Sequence, residues 1–229
     1  GPPGAGKTIL ANQLACEHVR KGGRALVATL LSESHERLFQ YLGTLDFFDP
    51  SMVGDQIQFV SAFDTLEQDG LDAVVRLLRQ EISRHKASLL IVDGVLNARL
   101  RAETSLDTKK FVSALQGHAA FAGCTVLLLT SARLEEGSPE HTMVDGVIEL
   151  GEQMMGSRAV RTIQLRKTRG SGALSGRHEC LIDDTGVRVF PRLESLFAKP
   201  SAPASAVASR ISSGVSTLDD TPLLIRAAT

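Results

Sequence analysis

Gly1, Gly6, Lys7 and Thr8 complete a G-x-x-x-x-G-K-T pattern in the opening stretch GPPGAGKTIL. Residues of these types at this spacing form a loop whose backbone N–H groups cradle an anion, with an ammonium and a hydroxyl aimed at the same point. Directly behind it, Ile9, Leu10, Leu14 and Val19 recur at helical spacing, and Lys21-Gly22-Gly23 ends that helix. The N–H groups of Gly4, Ala5, Gly6, Lys7, Thr8 and Ile9 then gather where the helix dipole favours negative charge. Pro2 and Pro3 lack an N–H and stiffen the outer limb of the loop. The chemistry implied is the grip of a phosphate chain, with Lys7 on the β and γ phosphates and the Thr8 hydroxyl on Mg²⁺. A chance glycine-rich turn is the bland alternative.

A metal needs a carboxylate, and LLIVDG (89–94) offers one: four apolar residues bury a strand and leave Asp93 at its carboxyl end, beside the loop. Asp93 read alone is also a plain turn former. Hydrolysis further needs a group that orients the attacking water. Gly94 follows Asp93, so no acidic pair stands there. The nearest acids lie after the second strand, in LLSESHER, where Glu33 follows the strand end and Glu36 sits one helical turn on. Either also suits the first turn of a helix electrostatically. Thr130 and Ser131 end another apolar run, where hydroxyls reach a γ-phosphate or simply make a turn.

These groups need a scaffold, and the pattern of the chain supplies it. Apolar runs without alternation at 24–31, 87–94 and 124–131 read as strands buried on both faces. Between them lie helical patterns at 32–43, 65–86 (with Gly70 as a weak point) and 106–123, and a short strand at 55–63. Strand and helix in alternation predict an α/β fold with a mostly parallel central sheet flanked by helices. After residue 143 the pattern becomes short strands with Gly-rich turns, which predicts antiparallel hairpins on one edge of that sheet. A phosphate loop ordinarily follows a strand, and none precedes Gly1, so the first strand is expected to be missing from this chain.

The composition is that of a globular protein: 229 residues, 43% hydrophobic, 22% charged, net charge −1. No run of about 18 apolar residues suggests a membrane span. Cys16, Cys124 and Cys180 are far apart and read as buried thiols, which suits a cytoplasmic protein. Between Arg158 and Arg177 stand Arg158, Arg161, Arg166, Lys167, Arg169 and Arg177, with no acidic residue. Such a block calls for an anionic partner or open solvent. The candidates are a neighbouring subunit's phosphates, a solvated edge strand, and nucleic acid. Aromatic residues total only 4% and the segment 135–143 is acidic, which argues against a nucleic-acid channel. From Ala198 the sequence AKPSAPASAVASR has linker composition.

With these residues on the page, the chain resembles the KaiC-type ATPases of the RecA-like P-loop NTPases. The resemblance covers nearly all of residues 1–193 and rests on GPPGAGKT, the glutamate-bearing segment after the second strand, LLIVDG, DGVIEL, and KTRGSG followed by RHECLIDDTGVRVFPR. It implies a RecA-like fold, ATP and Mg²⁺ as cofactors, hydrolysis, and a homo-oligomeric ring, commonly a hexamer, with ATP between subunits. By the same likeness Glu33 is the catalytic glutamate, and Lys167 and Arg169 reach the neighbour's ATP. Departures exist: LLSES replaces a frequent acidic pair, Ala173 stands where a histidine is common, and His178 falls later. No phosphosite pair maps, so kinase activity does not carry over. The expected organisation is an ATPase domain at 1–196, a linker at 197–209, and at 210–229 a segment resembling the opening of a second such domain. Two further functions stay open: a nucleotide-gated assembly protein with negligible turnover, and a recombinase-like DNA-dependent ATPase.

Overall fold

Strands that must be covered on both faces belong inside a parallel sheet. The apolar runs at 24–31 and 87–94 form β1 (Ala25–Thr29) and β3 (Leu89–Asp93), adjacent inner strands of such a sheet. The computed structural model describes residues 1–32, 35–95, 105–131, 139–170, 172–174 and 176–196. In it β2 (Ile57–Ser61) and β4 (Thr125–Leu129) flank the inner pair in the order β2-β1-β3-β4, all parallel. The register sets Thr29 opposite Asp93, so the carboxyl ends of β1 and β3 open into one crevice.

Alternation along each strand divides the core between two faces. Leu26, Ala28, Leu90 and Val92 meet Val74 and Leu78 of α3 (Phe63–His85) and Phe111 and Leu115 of α4 (Ser105–Ala122). Ala25, Val27, Leu89 and Ile91 meet Ala11, Ala15 and Val19 of α1 (Lys7–Arg20), together with Leu42 of α2 (His35–Leu42). Each large side chain buried this way contributes about 1.5–3 kcal/mol. Gly70 breaks α3 as expected, with φ 77 and ψ −171. A short helix α5 (Pro139–Met143), opened by a proline at a position that needs no N–H donor, has no counterpart in the sequence pattern.

The four later strands form an antiparallel meander: β5 (Gly146–Met155), β6 (Arg158–Thr168), β7 (Arg177–Asp183) and β8 (Gly186–Phe190). They were expected on the edge of the parallel sheet. Among the described residues they instead make a separate sheet. A cavity of about 870 Å³ lies between β4 and β5, lined by Val126, Leu128, Val147, Ile148, Leu150 and Gly1.

Cys16, Cys124 and Cys180 are buried and unpaired. Burial pushes all three thiols up, Cys124 to about 11. Among the described residues no helix is long and apolar enough to cross a membrane. Gly1–Arg192 form one compact unit, and Leu193–Leu196, which belong to a separate unit, make the short helix α6. The proposed linker and the segment 210–229 lie outside the described residues.

Candidate phosphate and metal site

The loop before α1 is built by glycine geometry. Gly6 caps the helix at φ 91, a left-handed conformation that costs glycine nothing, and a Cβ there would strike Cδ1 of Ile182 on β7. Ala5 is buried, and its N–H donates to the Pro2 carbonyl at 3.3 Å. The Lys7 ammonium donates to the carbonyls of Gly1 at 2.9 Å and Pro2 at 2.7 Å. The loop's cation is thus held against its own backbone. Burial lowers the Lys7 pKa, with the Asp93 charge opposing that shift. No acidic residue occupies the first turn of α1, which leaves the positive end of its dipole for an anion.

Thr8 and Asp93, 85 residues apart in sequence, meet where the sequence predicts: the Thr8 hydroxyl donates to Asp93 Oδ2 at 2.7 Å. Asn12 donates to the Thr8 carbonyl at 2.8 Å and is buried, a support that no spacing rule singled out. Beside the pair lies a cavity of about 60 Å³ lined by Thr8, Asn12, Thr29, His35 and Asp93 on its polar side. An alcohol and a carboxylate are hard oxygen ligands, and one or two protein oxygens completed by phosphates and water are what Mg²⁺ accepts. No group of three or more His, Cys, Asp or Glu able to hold a metal occurs among the described residues, so a cage made wholly of such side chains is not offered. The residues fit a nucleotide-borne magnesium.

Gly94 has φ 89, and a Cβ there would come within 2.9 Å of Leu31 Cδ2. Any side chain directly after Asp93 would be strained by this left-handed backbone and would require Leu31 to shift. Glu33 lies outside the described residues. Glu36 is exposed on α2. Thr130 and Ser131 are partly buried at the end of β4, and the Thr130 carbonyl accepts from the Gly1 amino group at 3.5 Å. Ile9 turns its side chain into the core, so only its backbone remains for the site.

The antiparallel sheet holds the loop from below, one strand after another. A Cβ on Gly1 would strike the Leu150 carbonyl of β5, Arg161 of β6 donates to the Gly4 carbonyl at 2.8 Å, and Ile182 of β7 packs under Gly6. On β8, the Val187 N–H donates to Gln13 Oε1 at 2.7 Å.

The basic block is largely answered within the chain. Arg161 pairs with Glu152 at 3.4 Å, Arg166 with Glu149 at 3.3 Å and Arg169 with Asp145 at 3.5 Å. Arg177 donates to Gln153 Oε1 at 3.4 Å. Lys167 donates to the carbonyls of His141 at 2.9 Å and Thr142 at 3.1 Å, at the end of α5. The acids come from β5 and its approach, a partner the charge count over 158–177 could not show. Lys167 is in β6, whereas Arg169 lies past its end at Thr168. His178 is buried and accepts the Arg192 N–H at its Nδ1.

A glycine loop at a helix start, facing a strand-end aspartate across a parallel sheet, defines a P-loop nucleotide-binding protein. The sequence profile described as "ATPase: KaiC" matches residues 1–194, and the chain belongs to that family. It is 26% identical over 239 residues to the circadian clock oscillator protein KaiC of Rippkaea orientalis, covering 96% of this chain and 44% of that protein. The chain thus spans under half the length of that relative. It is 28% identical to a UPF0273 protein of Methanopyrus kandleri, covering 87% of this chain and 84% of the other. A crystal structure of a KaiC-like protein from Pyrococcus horikoshii shares the fold, with TM-score 0.71 and 22% identity, covering 83% of this chain and 87% of that one.

Proposed function

We propose that this chain binds ATP with Mg²⁺ and hydrolyses it, as one subunit of a homo-oligomeric regulatory ATPase. The contact from the Thr8 hydroxyl to Asp93 at 2.7 Å carries the reading, because it joins the phosphate loop to the strand-end carboxylate. Lys7 leaves the Gly1 and Pro2 carbonyls for the β and γ phosphates, and the N–H groups of residues 4–9 take the phosphate oxygens. Thr8 and Asp93 hold Mg²⁺, which supplies charge neutralisation to the phosphate chain.

Glu33 orients the attacking water. The left-handed backbone at Gly94 and its packing on Leu31 support this assignment, since they disfavour an acid directly after Asp93. The register of Thr29 with Asp93 ends β1 and β3 at one crevice, and Glu33 follows β1 by four residues in sequence, which also supports the assignment. Glu33→Gln is expected to lower phosphate release from saturating ATP by about a hundredfold or more while leaving ATP binding intact. Glu36→Gln, on an exposed position, leaves release unchanged. Equal, near-zero release from wild type and Glu33→Gln would favour the nucleotide-gated assembly protein instead.

Lys167 and Arg169 act on the ATP of a neighbouring subunit. The Arg169–Asp145 pair has side chains 60% and 80% exposed, an ion pair of little strength that a phosphate can displace. Arg169→Ala is expected to cut turnover about a hundredfold with folding unchanged. Unaltered kinetics would remove the arginine from the mechanism, and a purely monomeric mass in the presence of ATP would remove the trans arrangement.

A further inference from the structure

The geometry points to Arg161 as a positioning residue for the phosphate loop, holding the Gly4 carbonyl turned away from the anion. This inference rests on the nucleotide reading of the loop. Arg161 lies on the face of β6 that looks toward the loop. Its register partners there are Glu152 on β5 and Cys180 on β7, and two residues along Ile163 pairs with Leu150. From this face its Nη1 donates to the Gly4 carbonyl at 2.8 Å, while Nη2 pairs with Glu152 at 3.4 Å. Glu152, directly across the strand pair, keeps the guanidinium from swinging into solvent.

The consequence follows from the chemistry of the peptide unit. Gly4 has φ 76 and no side chain to pack, so its peptide with Ala5 is held by the turn bond from the Ala5 N–H to the Pro2 carbonyl at 3.3 Å and, on the carbonyl side, by Arg161. A peptide next to glycine rotates readily. Rotation of the Gly4–Ala5 peptide would break that turn bond and swing the Gly4 carbonyl oxygen from Arg161 toward the phosphates. A charge-assisted hydrogen bond on that oxygen opposes the rotation. Without it the loop spends part of its time in states that repel the ligand, and apparent affinity falls by the competent fraction. The loss applies equally to ground and transition states, so KM rises while kcat is retained.

The test compares wild type, Arg161→Ala and Arg161→Lys by calorimetry with Mg-ADP, by melting, and by hydrogen exchange of the loop amides without nucleotide. Arg161→Ala is expected to weaken Mg-ADP binding about five- to tenfold and to speed exchange over residues 4–8. Its melting midpoint stays near that of wild type. Arg161→Lys, whose ammonium still reaches a carbonyl, recovers most of the affinity. Unchanged affinity and unchanged exchange in Arg161→Ala overturn the inference. So does a loss of affinity that comes with melting of the whole chain and that lysine leaves unrecovered. Should wild type take up no Mg-ADP, the nucleotide reading falls, and the exchange comparison still decides whether Arg161 orders the loop.

Discussion

Lys7→Ala is expected to weaken ATP binding by about two to three orders of magnitude, and turnover with it, while the chain stays folded. In the structure the ammonium spends its hydrogen bonds on the Gly1 and Pro2 carbonyls, at 2.9 and 2.7 Å. Alanine therefore costs the unliganded loop only exposed or half-exposed contacts. With ATP present the loss is larger, because two charge-assisted hydrogen bonds to phosphate, each about 1.5–3 kcal/mol, disappear at once. The same lysine gives affinity a pH dependence of known sign. Burial lowers its pKa in the free protein, and the negative phosphates raise it in the complex. Below the free-state pKa the ammonium is already formed and affinity is flat. Above it, binding has to recruit a proton, and affinity falls by up to tenfold per pH unit. Calorimetry across the alkaline range reads both effects. A Lys7→Ala chain that binds as wild type does, or a wild-type affinity that rises with pH there, would sink the phosphate role of this side chain.

What the sequence made legible was whatever a local rule governs. The helix after the loop, the doubly buried strands and the meeting of Thr8 with Asp93 all follow from spacing, from unbroken apolar runs and from the habit of strand ends to share a crevice. What stayed hidden depends on which strands become neighbours. Arg161 reads as one more cation in a basic block until β6 is laid beside β5 and under the loop, where it gains Glu152 and the Gly4 carbonyl. Asn12 looks like an ordinary polar residue on α1 until its amide is found on the Thr8 carbonyl. Where a strand stops is equally hidden: KTRG runs on in sequence, but β6 ends between Lys167 and Arg169. Gly94 shows the reverse case. Its presence in place of an acid was visible at once, but the reason, a left-handed φ against Leu31, is visible only in three dimensions.

Adding an extended apolar segment of about five residues in front of Gly1 is expected to produce the largest gain in stability. Among the described residues, the cavity between β4 and β5 is bounded by two strands that each have one strand partner in their sheet, β3 and β6 respectively. Edge strands of this kind present unpaired backbone groups, which a further strand satisfies on both sides. Gly1 stands at the mouth of the cavity, its amino group 3.5 Å from the Thr130 carbonyl just past the end of β4. A chain leading into Gly1 through that space runs parallel to β4 and ends where the phosphate loop begins. Its apolar side chains would meet Val126, Leu128 and Leu150. Five such residues at about 2 kcal/mol each, less about 1.5 kcal/mol each for ordering, leave a net gain of about 2.5 kcal/mol. In a chain of this size that corresponds to a rise of about 5–10 °C in the melting midpoint. Affinity for ATP should rise as well, because the loop gains an anchor at its outer limb, where at present the Lys7 ammonium and the Ala5 N–H both lean on Pro2. A polar, glycine-rich segment of equal length is the control, since it lengthens the chain without filling the space. If apolar and polar extensions shift the melting midpoint equally, or neither shifts it, the space between the sheets is not a strand site and the two sheets are independent.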